Sequence, residues 1–151
     1  MDPVTALAAA GNAFQLVGLA IQVFQSLARY IQDVKAAPKQ AIELRNEIAA
    51  IIGIVTTLKV TLEISPSSIS AAKERPLNDT ITNVRETLEE ILQQLEKGSD
   101  EKNVGGSKSL IWPFQKRKLE EHLEKLDRYK ATLSFALQVE QTYIHHTSFG
   151  C

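Results

Sequence analysis

His122, His145, His146 and Cys151 are the side chains best suited to hold a transition metal. Adjacent residues of a helix point to different sides, so His145 and His146 cannot share an ion, and neither HExxH nor CxxC spacing occurs. No metal site is expected, and the histidine pair reads as solvent-facing. Gly105-Gly106-Ser107-Lys108-Ser109 has the composition of a phosphate loop, but no glycine directly precedes the lysine and no strand signal leads into it. It reads as a linker. Glu120, Glu121, Glu124 and Asp127 alternate with Lys and Arg at helical spacing, the pattern of a solvated face with i,i+4 support. With no nucleophile, base and orienting group in register, the expectation is a protein that is not an enzyme and needs no cofactor.

One cluster combines bulk with charge. Ile111-Trp112-Pro113-Phe114 is followed by Lys116-Arg117-Lys118. Two accounts stand open. Trp112 and Phe114 can plug the end of a helical core while the cations are solvated. Alternatively Trp112, Phe114, Lys116, Arg117 and Lys118 form an interfacial contact for anionic lipid headgroups, to which each nearby cation adds roughly 1 kcal/mol.

The elements that would position these groups are all helical. Pro3, Pro38, Pro76 and Pro113 each stand before an amphipathic pattern, where a missing N–H is harmless. Pro66, in a serine-rich run, reads as a stop. The predicted helices cover 3–34, 38–64, 76–97 and 114–145, with Gly98 ending the third and a flexible loop over 98–109. Helix two keeps three-four spacing on Ala41, Leu44, Ile48, Ile51, Val55, Leu58 and Leu62, widened by Ile42, Ile52, Ile54 and Val60. Helix three does so on Leu77, Ile81, Val84, Leu88, Ile91 and Leu95. Helix four uses Leu119, Leu123, Leu126, Leu133, Leu137 and Ile144, joined by Tyr129, Phe135 and Val139. These patterns predict one all-α domain over 1–151, an antiparallel four-helix bundle with an apolar N-terminal helix.

That first helix is the unusual member. Residues 3–28 carry no charge and as a helix would extend about 39 Å, longer than a bilayer core of roughly 30 Å. On length alone it could span a membrane. Its polar and small residues, Ala8, Gly11, Asn12, Gln15, Gly18, Gln22, Gln25, Ser26 and Arg29, recur at three-four steps as one stripe. Leu7, Phe14 and Ile21, with Val17, Phe24 and Ile31, are expected on the other side. A stripe without acids suits either water or another helix inside lipid. Gly11-Asn12 could bend the helix or let its first turns fray.

The totals set limits. Seventeen Lys and Arg against eighteen Asp and Glu give a net charge of −1, so no electrostatic footprint for nucleic acid is present. A lone cysteine fits a reducing compartment, and the N-terminal stretch is longer and more glutamine-rich than a signal-peptide core, so it is expected to be retained.

Three segments together carry a family resemblance: MDPVTALAAAGNAFQLVGLAIQVFQSL, RYIQDVKAAPKQAIELRNEIAAI and LIWPFQKRKLEEHLEKLDRYKATLSFALQVE. They resemble the HeLo-like (HELL) N-terminal domains of fungal NOD-like receptors and related STAND proteins. The resemblance implies a cell-death effector domain of programmed cell death, heterokaryon incompatibility and innate immunity. It would be cytoplasmic at rest and act at the plasma membrane once activated. Oligomerisation would release the N-terminal helix, here Leu7, Gly11, Phe14, Val17, Gly18, Leu19, Ile21, Val23 and Phe24, to insert and permeabilise. Implied partners are other copies of the domain, membrane lipids of anionic type, and the nucleotide-binding and repeat regions of a parent receptor. Pattern alone leaves a second expectation: a soluble helical adaptor for signalling assembly.

Overall fold

The computed structural model describes residues 3–33, 37–64, 71–104 and 114–149, and the side chains of 9–33, 37–64, 76–97 and 114–142. Four helices make up the fold: α1 (Pro3–Asp33), α2 (Lys39–Ile64), α3 (Ala71–Val104) and α4 (Lys116–Phe149). Connections of five, six and eleven residues are too short to traverse helices some 40–50 Å long, so each helix must run back along its predecessor. The result is an antiparallel four-helix bundle. α1 packs on α2 and α3, and α4 packs on α2 and α3, so α1 and α4 lie across the diagonal.

The predicted three-four lines of α2 and α3 are the buried ones: Leu44, Ile48, Ile51, Val55, Leu58 and Leu62 join Leu77, Ile81, Val84, Leu88, Ile91 and Leu95 in one common core. Burial of each such side chain contributes about 1.5–3 kcal/mol before chain entropy is set against it. Ile42 and Val60, expected to widen the buried face of α2, are exposed at 38% and 43%. They lie on the far side of the helix from Leu44 and Leu58.

Two expectations about punctuation are corrected, and the open question of Gly11-Asn12 is answered. Pro76 lies inside α3, which begins at Ala71, because the run Ala-Ala-Lys-Glu-Arg upstream is strongly helix-forming. Gly98 does not stop α3, which continues to Val104; one glycine costs about 1 kcal/mol, and Glu and Lys follow it. Residues 98–104 of the expected loop are therefore helical. α1 is continuous through Gly11-Asn12. α4 begins where the Gln115 carbonyl accepts from the Leu119 N–H at 2.9 Å. Pro66, Trp112, Pro113, Cys151 and 105–109 lie outside the described residues, as do the side chains of Leu7, Ala8, Ile144, His145 and His146.

Candidate functional site

α1 turns a narrow, small-residue seam inward. Its buried residues are Ala9, Ala10, Ala13, Leu16, Ala20, Val23 and Leu27. Four alanines let the α1 backbone approach its neighbours closely, and Leu16, Val23 and Leu27 add whole side chains to the core. Val17, Leu19, Phe24 and Ile31 are half-buried against this core. The stripe Gly11, Asn12, Gln15, Gly18, Gln22, Gln25 and Arg29 faces out, as its spacing predicts, with Ser26 half-buried at its edge.

The opposite face is corrected. Phe14 is 62% exposed and Ile21 40%, so neither forms the buried line. The apolar arc of α1 is wider than two neighbouring helices can cover, and the alanine side, which lets backbones approach, is the side that docks. Phe14 instead lies under the Lys59 ammonium of α2, 5.3 Å from the ring centroid, while Lys59 also reaches Glu63 at 3.2 Å. Among the described residues no ion pair involves α1. Burial raises the pKa of the Tyr30 phenol near its C-terminal end. Neither Gly11 nor Gly18 has any atom within 4 Å of the place where a Cβ would sit. Packing in the bundle thus gives no reason for glycine at either position.

α4, by contrast, is tied across both its interfaces. Lys130 donates to Glu47 of α2 at 3.1 Å, both side chains half-buried, and that bond raises the lysine pKa. Lys118 meets Glu90 of α3 at 2.9 Å, which lowers the carboxyl and raises the ammonium.

Around Lys118 the aromatic-basic cluster divides. Phe114 is only 5% exposed and its ring stands edge-on to His122, centroids 6.0 Å apart at 87°. In the bundle it is a packing group of the core end. Lys116 and Arg117 are exposed, Arg117 reaching Glu121 at 3.7 Å, whereas Lys118 is occupied by Glu90. Of the described members of the lipid-contact set, Lys116 and Arg117 face solvent.

Two buried groups escaped the sequence reading. His122 is fully buried and Glu140 is 3% exposed. Both lie in three-four register with Leu119, Leu126 and Leu133, a signal present in the sequence but overridden by their chemical type. Phe135, expected with the buried line, is 68% exposed because it falls between those positions. Among the described residues no group of three His, Cys, Asp or Glu side chains could hold a metal ion. Among the described residues, too, no helix is long and apolar enough to cross a membrane. Asn12, Gln15, Gln22 and Gln25 interrupt α1 too often for the spanning helix that its length suggested.

The family model described as pigment biosynthesis cluster protein PigL N-terminal matches residues 1–148. Comparison with curated proteins and with solved structures finds no match.

Proposed function

The chain belongs to the PigL N-terminal family, a HeLo-like family of fungi, and from that premise we propose that it is a cell-death effector domain of the kind that precedes the nucleotide-binding and repeat regions of a fungal NOD-like receptor. At rest it is a cytoplasmic bundle. When copies cluster, α1 leaves its seam and enters the plasma membrane.

The observation that carries this reading is the way α1 is held: a purely apolar seam of four alanines with Leu16, Val23 and Leu27, no ion pair to any neighbour among the described residues, and Phe14 and Ile21 already outside the core. A helix held by apolar contacts alone can trade them for lipid contacts when clustering supplies the difference in free energy. Gln15, Gln22 and Gln25 cannot face hydrocarbon unpaired. Released helices therefore place this stripe against one another, with Gly11 and Gly18 allowing close approach. Insertion and self-association become one event.

A second reading is favoured by the lack of a membrane-crossing helix among the described residues: a soluble adaptor that self-assembles without touching lipid. Dye release from vesicles containing anionic phospholipid, measured with the full chain before and after chemically induced clustering, separates the two. Release that rises steeply on clustering supports the effector. Clustering with neither vesicle binding nor release refutes it and leaves the adaptor.

A further inference from the structure

The buried polar groups of a helical core are expected to find partners, and the threonines do so within their own helices. Thr61 donates to the Thr57 carbonyl at 2.8 Å and Thr87 to that of Asn83 at 3.0 Å. His122 does not. Its ring is fully buried in the first turns of α4, and neither Nδ1 nor Nε2 has a hydrogen-bond partner.

The charged groups acting on it are Glu90 from α3, and Lys118, Glu121 and Lys125 from α4 itself. Both carboxylates are shared with cations. Glu90 is engaged by Lys118 at 2.9 Å, and Glu121 by Arg117 and Lys118 at 3.7 and 3.8 Å. An imidazolium at this position would be buried with two cations acting on it, beside carboxylates already shared with cations. The interface it sits beside, α3 with α4, is also the thinnest of the four in the bundle.

We propose that His122 is a proton-operated latch: as a neutral ring it seats Phe114 and the first turns of α4 against α3, and on protonation it leaves the core and that end of the bundle opens. Burial lowers the His122 pKa below the ordinary imidazole value. The sign follows from linkage. Between that ordinary value, about 6.5, and the depressed folded value, the unfolded or opened state binds the extra proton, so stability falls as pH falls. The opened-to-closed ratio grows by up to about tenfold for each pH unit in this window, and above it the latch is shut.

The test uses the full chain from pH 7.5 to 5. Thermal unfolding of the native protein and of His122→Leu, an apolar ring-sized replacement among Leu119 and Leu126, is compared, with hydrogen exchange read along the helices. Support is a midpoint that falls with pH in the native protein and stays nearly level in His122→Leu, with amides of 119–126 losing protection at pH 5 before those of α1 and α2. Parallel pH curves for the two proteins overturn the latch, as does loss of protection spread evenly over all helices. Proton NMR of the native protein decides the matter even if His122→Leu fails to fold. A His122 resonance titrating below the ordinary imidazole range supports the latch, and titration at the ordinary value refutes it.

Discussion

Charge placed on the outer stripe of α1 should leave the bundle intact and disable the membrane step. Gln15 and Gln22 are exposed and lie one above the other two turns apart, with their neighbours Gly11, Gly18 and Gln25 equally outward. Replacing either glutamine by glutamate adds a solvated carboxylate to a surface helix, a change that is ordinarily worth less than about 0.5 kcal/mol. For a domain of this length such a difference moves the melting midpoint by about 2 °C at most. In the inserted state the same carboxylate meets hydrocarbon or the stripes of neighbouring copies. An acidic residue at the centre of an inserted helix costs about 2.5–3.5 kcal/mol, and glutamine already carries part of that cost.

At roughly tenfold per 1.4 kcal/mol, dye release by clustered Gln15→Glu or Gln22→Glu should fall at least about tenfold, and further in the double variant where like charges stack. Gln93→Glu, an exposed glutamine on α3, adds the same charge elsewhere and should release dye as the native protein does. A melting midpoint lowered by more than about 4 °C would show that these positions are not free surface. Unchanged release, with folding intact, would remove α1 from the membrane step altogether.

Two other substitutions test the geometry directly. Gly11→Ala and Gly18→Ala meet no atom within 4 Å and sit mid-helix, so each should raise stability by about 0.5–1 kcal/mol in urea unfolding; a loss at either site would contradict the open surface assigned to it. The half-buried Lys130–Glu47 pair at 3.1 Å, probed by a double-mutant cycle with Lys130→Met and Glu47→Gln, should show coupling of about 0.5–1 kcal/mol that shrinks in 1 M salt. The same cycle on Arg117 and Glu121, where the arginine side chain is 93% exposed, should return a value near zero.

Much of the bundle is legible because its signals are redundant. Each of Ala41, Leu44, Ile48, Ile51, Val55, Leu58 and Leu62 supports the same helical face, so no single residue can mislead. Punctuation lacks that redundancy. Pro76 and Gly98 are single residues, and a helix that is favourable on both sides runs through them. The polar stripe of α1 was readable since glutamine and glycine mark it. Which apolar residues would be buried was not, because the apolar arc exceeds the available contact and the choice falls to backbone approach, which favours Ala9, Ala13 and Ala20 over Phe14 and Ile21. His122 and Glu140 sit in core register, yet side-chain chemistry argues for the surface, and register prevails where neighbours on both sides are buried.

The same alanine seam bears on how many copies must act together. One α1 helix lacks the apolar length to cross a membrane within its described part, since Asn12, Gln15, Gln22 and Gln25 each bring an amide that hydrocarbon cannot satisfy. A lone released helix would thus exchange an apolar seam for a shallow interfacial position and gain little. On the proposed insertion, pairing of stripes would satisfy those amides and bring Gly11 and Gly18 into contact, so the gain would arrive only once several helices are released side by side. Dye release should therefore rise more steeply than linearly with the number of clustered copies. A first-order dependence would mean that each helix acts alone, and the stripe would then need another explanation.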